Sequence, residues 1–161
     1  MNFFPTSIPE IIRVEPQVFG DARGFFMETY RDDKMVATGI SGNFVQDNQS
    51  GSHRNILRGL HYQIRQAQGK LVRAVSGEIF DVAVDLRRSS PTFGLWTGEI
   101  LSVENKRMLW IPPRDLRTAF MSSAIGLMSC TKPPNITHRS GNGHFFGTIR
   151  RSVSAGLFLP A

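Results

Sequence analysis

Residues 70–86 read KLVRAVSGEIFDVAVDL, and this stretch decides the fold. Apolar and β-branched residues dominate it, and Ser76-Gly77 divides it into two short runs. The pattern predicts two strands joined at that Ser-Gly pair. The second run alternates: Val82, Val84 and Leu86 point one way, while Asp81, Ala83 and Asp85 point the other. Similar signals recur along the chain at intervals of about ten residues, separated by Gly, Pro, Asn and Asp. IIRVEP (11–16) is closed by Pro16. FGDARGFFMETY (19–30) sets two glycines around a charged turn before an aromatic strand. NFVQDNQS (43–50) alternates and then meets a turn-rich break. GLWTGEILS (94–102) and RMLWIPP (107–113) add two more strands. One short helix is expected, Asp32 to Ala37, stopped by Gly39. Many short strands with almost no helix predict an all-β, jelly-roll sandwich or barrel.

Bulk properties narrow the function. At 161 residues the chain reads as one domain able to bury a sizeable core. No apolar run approaches the roughly 20 residues that cross a bilayer, and the N-terminus has no signal-peptide pattern. The single cysteine, Cys130, cannot form an internal disulfide, so a cytoplasmic, reducing setting is expected. The net charge of +6 suggests a nucleic-acid binder until it is divided along the chain. Residues 1–113 hold 13 Lys/Arg and 12 Asp/Glu, whereas residues 114–161 hold six basic residues and one acidic, Asp115. Basicity therefore belongs to the tail, whose scattered arginines lack the clustering and aromatic interleaving of a nucleic-acid arm. Neither a nucleic acid nor a membrane is an expected partner.

The chemistry-bearing candidates start with His61. A histidine in a strand is most simply a hydrogen-bonded, half-buried side chain. As a general base, it would accept and return protons near neutrality. Arg58 and Lys70 would then make a cationic site suited to an anionic or enolate-forming substrate. A metal site is disfavoured, because Gln63 stands where a His-x-His pair needs its second histidine. The other histidines, His53, His138 and His144, are not spaced for a cluster. Arg23 is either a turn arginine or a phosphate ligand. Gln46, Asp47 and Asn48 suit either strand-end turns or polar contacts in a sugar pocket. DLRRSSPTFG (85–94) reads as a solvated loop rather than a site.

Together GDARGFFMETY, FVQDNQS, LRGLHYQ, QGKLVRAVSGEIFDVAVDLRRSSPTFG and LWIPP resemble the dTDP-4-dehydrorhamnose 3,5-epimerase family over about residues 3–113. The resemblance implies a cofactor-free, metal-free, cupin-like jelly roll acting as a homodimer on a nucleotide sugar. Such an enzyme inverts C3 and C5 of a dTDP-4-keto-6-deoxyhexose on the way to dTDP-L-rhamnose. It makes His61 the base that removes protons beside the C4 ketone, and Lys70 the group that steadies the oxyanion. Arg23, Glu28, Gln46, Asn48 and Arg58 would hold nucleotide or sugar, and Phe19 would line the nucleotide end. The retained motifs also fit a relative that epimerises one carbon, or a non-catalytic sugar-nucleotide-binding protein.

The resemblance divides the chain into a 1–113 body and a divergent, poorly specified tail, 114–161, which in the family belongs to the same domain. After its Trp-Ile-Pro-Pro the family continues with Gly-Phe-Ala-His-Gly-Phe. A Tyr-Lys pair carrying the general acid follows, then Trp-Asn-Asp-Pro, whose aspartate orients the base. Here the only tyrosines are Tyr30 and Tyr62, and no aspartate follows Asp115. The genetic code supplies a reason. Arg114–Phe120 can be written CGG GAT TTG CGC ACG GCT TTT, which read two bases on gives Gly-Phe-Ala-His-Gly-Phe. In the same shifted frame, CTKPPNITHR (130–139) can yield Tyr-Lys-Ala-Thr-Glu-Tyr-Tyr-Ala-Pro, and HFFGTIRR (144–151), with the base before it, can yield Ala-Phe-Leu-Trp-Asn-Asp-Pro. The expectation is a frameshift between Pro113 and Arg114. The jelly roll would then be incomplete at its C-terminal end, and the chain as written impaired or inactive.

Overall fold

The computed structural model describes residues 1–40, 44–61 and 67–113, and the backbone of 120–132. The tail beyond 132, together with Asp115, Tyr62 and Gln63, lies outside the described residues. Among the described residues, ten strands and one helix follow in order: β1 (Asn2–Pro5), β2 (Ile12–Glu15), β3 (Val18–Asp21), β4 (Gly24–Met27), α1 (Asp32–Ala37), β5 (Gln46–Gly59), β6 (Lys70–Ala74), β7 (Glu78–Val84), β8 (Trp96–Ser102), β9 (Met108–Ile111) and β10 (Phe120–Lys132). Every described pairing is antiparallel. The main sheet runs β1-β2-β9-β6-β10-β7-β8, with β5 on β10, and β3–β4 form a separate hairpin.

The expected break at Ser76-Gly77 is a corner rather than a hairpin. β7 pairs with Phe120–Ile125 of β10, and β6 pairs with Met128–Ser129 of the same strand. The two strands therefore run one after the other along β10. Gly77, at φ +66°, supplies the left-handed residue the corner needs. On the far side of the sheet path, β6 pairs with β9 and β7 with β8, so the corner hands the chain from one half of the sandwich to the other.

Strand alternation then builds two cores. Val72 and Ala74 on β6, Leu109 and Ile111 on β9, Ile79 and Ala83 on β7, and Leu101 on β8 meet Ile8 and Ile11 in the interior. The opposite face of β6 and β9 carries Leu71, Met108 and Trp110, which α1 and its flanks cover with Met35 and Ile40. Fully burying one such aliphatic side chain contributes about 1.5–3 kcal/mol. The helix ends as expected: Gly39 (φ +82°) donates to Val36 O, and Ile40 donates to Met35 O, each at 3.0 Å. This is a Schellman cap, and its Met35–Ile40 apolar contact belongs to the second core.

Two segments differ from the sequence expectation. The polar run after Asn48 does not turn: β5, 14 residues long, carries through it to Gly59. Pairing with β10 supplies its backbone hydrogen bonds, and an irregularity opposite Ala124–Gly126 absorbs extra residues near Asn55 (φ 65°). Within the aperiodic tail, Phe120–Lys132 forms β10, held between β5 on one edge and β6 and β7 on the other. Backbone pairing on both edges asks little of side-chain pattern, so periodicity gave no sign of this strand.

Candidate active site

The register of β5, β10, β7 and β8 sets the site. Arg58 is paired with Ser122, Ser122 with Asp81, and Asp81 with Glu99. Directly paired residues in antiparallel strands share a face. Asp81 alternates with Ile79 and Ala83, so this is the interior face. Further along β5, Gln46, Asn48, Ser50 and Ser52 pair with even-numbered residues of β10, as Arg58 does, and so share that face. Their hydrogen bonds agree: Gln46 Nε2 donates to Asn48 Oδ1 at 3.0 Å, and Arg58 Nε donates to Ser52 Oγ at 2.7 Å. Arg58 Nη2 also reaches Gly51 O at 3.3 Å. Three of the sequence-predicted ligands thus lie, exposed, on one face of one strand, with Gln46 and Asn48 together and Arg58 toward its other end.

Lys70 approaches from the neighbouring half. It opens β6 and shares the face of Val72 and Ala74, both in the interior core. Gly69 before it is buried against Trp110 and Pro113, which fixes where the lysine leaves the backbone. His61 follows two residues after the end of β5 and is exposed. The chain therefore delivers Arg58 and His61 from the end of one strand and Lys70 from the start of the next.

The remaining predicted residues lie near the β3–β4 hairpin. Phe19 and Arg23 line an open cleft of about 340 Å³ with Phe25 and Phe26. Arg23 Nη2 is 2.7 Å from Asp21 Oδ2. Glu28 accepts from Lys34 Nζ at 2.7 Å and lies 4.0 Å from Arg31, so its carboxylate ties the end of the hairpin to α1. Tyr30 Oη donates to Asp32 Oδ1 at 2.8 Å. Burial first, and that bond second, push its phenol up to about 12, too high to give up a proton near neutrality.

Sequence reasoning missed one residue, Asp81. It is fully buried, and among the described residues neither carboxylate oxygen has a hydrogen-bond partner. Burial pushes its carboxyl up to about 7, against the pull of the Lys70 charge. The signal was present in the alternation of β7, which sets a carboxylate between Ile79 and Ala83 on one face. The 85–94 loop also departs from a fully solvated reading. Asp85 is fully buried and accepts from Arg87, Ser90 and Thr92, while Arg87 also reaches Glu10 at 2.8 Å. Among the described residues, no group of three His, Cys, Asp or Glu is placed to hold a metal ion, and no helix is long and apolar enough to cross a membrane.

An almost wholly antiparallel β architecture, in two packed halves with a long polar strand along one edge, defines the class: a cupin-like jelly roll. A sequence model of dTDP-4-dehydrorhamnose 3,5-epimerase matches residues 5–129, and the chain belongs to that family. The dTDP-4-dehydrorhamnose 3,5-epimerase of Pseudomonas aeruginosa is 66% identical over 107 residues, covering 66% of this chain and 59% of that protein. The chain thus spans less than two thirds of that relative's length. Among solved structures, the dTDP-6-deoxy-D-glucose-3,5-epimerase of Legionella pneumophila in complex with dTDP-4-keto-L-rhamnose superposes with a TM-score of 0.76 at 44% identity. It covers 84% of this chain and 73% of that one. A 3'-monoepimerase of Streptomyces bikiniensis in complex with dTDP-quinovose gives 0.73 at 28% identity, covering 83% and 68%.

Proposed function

We propose that this chain carries the substrate-binding and proton-abstracting body of an epimerase acting on a dTDP-4-keto-6-deoxyhexose. The C4 ketone acidifies the hydrogens on C3 and C5. His61 takes a proton from each carbon in turn, and the electron pair moves onto the carbonyl oxygen. Lys70, with its cationic ammonium, faces that developing enolate oxygen. Return of a proton to the opposite face inverts each centre. Arg58, Gln46 and Asn48 hold sugar and diphosphate along β5, while Phe19, Arg23 and Glu28 serve the nucleotide end. The observation that carries this reading is the register that sets Gln46, Asn48 and Arg58, all exposed, on one face of β5, the face that β6 continues with Lys70. The reading includes a cytoplasmic homodimer that needs no cofactor and binds neither nucleic acid nor membrane.

Turnover by the chain as written is a separate matter. Residues 114–161 hold no tyrosine for reprotonation, and no aspartate follows Asp115 to stand where the family's orients the base. We take residues 114–161 to be family coding sequence read in a shifted frame, and the chain as written to be impaired. Sequencing the gene across Pro113 and Arg114 tests this: codons that encode nothing family-like in the other frame would refute it.

The similarity to a 3'-monoepimerase favours one second reading, inversion at a single carbon. Proton NMR of the sugar products separates the two. Inversion at both C3 and C5 supports the first reading, and inversion at C3 alone supports the second. Tight dTDP binding with no inversion, even after the frame is restored, would leave a non-catalytic binding protein.

A further inference from the structure

Asp81 occupies the middle of β7 on the interior face, flanked by Ile79 and Ala83. A fully buried carboxylate without a hydrogen-bond partner is strongly unfavourable unless an opposite charge lies within reach. The elements packed against β7 present few candidates. On β8, directly opposite, stands Glu99, a like charge already engaged by Arg13 at 3.3 Å and Arg107 at 3.9 Å. On β10, the register partner is Ser122, which brings no charge. Beyond it on β5, Arg58 turns its guanidinium to Ser52 and Gly51. β6 brings Lys70, whose side chain shares the interior face and whose charge acts on the Asp81 carboxyl. The backbone N–H of Val82 also attracts it, from outside hydrogen-bond geometry.

We propose that Asp81 is a positioning residue: its buried carboxylate is the counter-charge that keeps Lys70 an ammonium on the interior face of the sandwich. The inference rests on the reading that Lys70 meets the enolate oxygen. Where Asp81 is ionised, toward and above pH 7, an ammonium held from behind by its carboxylate is ready for an oxyanion without reorganising, which is the condition for electrostatic stabilisation of an enolate. Coupling between the two charges is mutual, so each must move the titration of the other.

The test needs no turnover, so it stands apart from the fate of the epimerase reading. The chain has four lysines, Lys34, Lys70, Lys106 and Lys132. Reductive ¹³C-methylation makes each an NMR reporter, and the Lys70→Arg variant identifies the Lys70 signal by its loss. Asp81→Asn is expected to lower the Lys70 titration midpoint by about one pH unit and to leave Lys34 and Lys106 in place. An unmoved Lys70 midpoint overturns the proposal. Should Asp81→Asn not fold, Lys70→Met serves instead, with the Asp81 carboxyl carbon followed directly. Its midpoint is expected to rise, and an unchanged value would overturn the proposal equally. If the titrations couple but no solvent deuterium enters the sugar even with the frame-restored protein, the epimerase reading fails and the charge pair stands.

Discussion

Asp81 and Glu99 stand directly opposite each other across the β7–β8 pair, yet among the described residues only Glu99 is met by arginines. Strand pairing brought two carboxylates together and left one in the apolar interior. That asymmetry makes Asp81 a carboxyl that titrates near neutrality. Its folded pKa, about 7, lies above the ordinary 3.8. The folded protein therefore binds the proton more tightly than the unfolded chain. The associated stability is fully present below pH 3.8 and is lost as pH rises toward 7. Urea denaturation should show stability falling across this window by on the order of 2–4 kcal/mol from this group. Asp81→Asn should remove that part of the slope. A variant with the parent's full pH dependence would show that Asp81 ionises as freely as a surface carboxylate.

Asp85, just past the end of β7, shows the opposite case. Burial alone would raise its carboxyl, but hydrogen bonds from Arg87, Ser90 and Thr92 outweigh this and hold it well below the usual carboxylate range. Asp85 also closes the loop through its backbone, donating to Leu95 O at 2.9 Å and accepting from Gly94 at 2.7 Å. Asp85→Ala should cost about 3 kcal/mol at pH 7, since it strands a part-buried guanidinium and two hydroxyls. Because the folded pKa is depressed, this contribution is present above pH 3.8 and lost as pH falls through the folded value. The gap in melting temperature between parent and variant should therefore narrow at pH 3.

Gly69 is packed where a side chain has no room. A Cβ there would lie 2.6 Å from Trp110 Cη2 and 2.9 Å from Pro113 Cδ. Trp110 is itself buried in the second core and cannot swing clear. Gly69→Ala should cost about 1–3 kcal/mol by overpacking and should displace Lys70, the next residue. Thermal melting reads the first effect, and the Lys70 methyl resonance reads the second. A Gly69→Ala variant as stable as the parent would mean that Trp110 packs less firmly than described.

Much of the architecture was legible in local pattern. Gly39 marked the helix end because only a left-handed residue completes that cap, and the alternation of residues 78–84 marked a strand. What local pattern missed depended on partners distant in sequence. β5 runs through a polar, turn-like stretch because β10 supplies its hydrogen bonds, some 70 residues along the chain. Likewise Ser76-Gly77 marks a join between two strands, but that the join is a corner follows only from β10, which lies along both. The site divides in the same way. Motifs pointed to Gln46, Asn48 and Arg58, and the register puts them on one face. Asp81 looked like the polar side of an alternating strand, because a sequence shows that a residue alternates but not which face becomes the interior.

Solvent deuterium wash-in tests the central claim most directly. dTDP-4-keto-6-deoxyglucose would be incubated in D₂O with the chain as written, with a version whose frame is restored after Pro113, and with the restored version bearing His61→Asn. Proton NMR then follows the C3 and C5 signals. The account predicts loss of both signals with the restored protein, at least a hundredfold slower loss when His61 is replaced, and little or none with the chain as written. Undiminished exchange in the His61→Asn protein would contradict the account, because some other group would then be removing the proton.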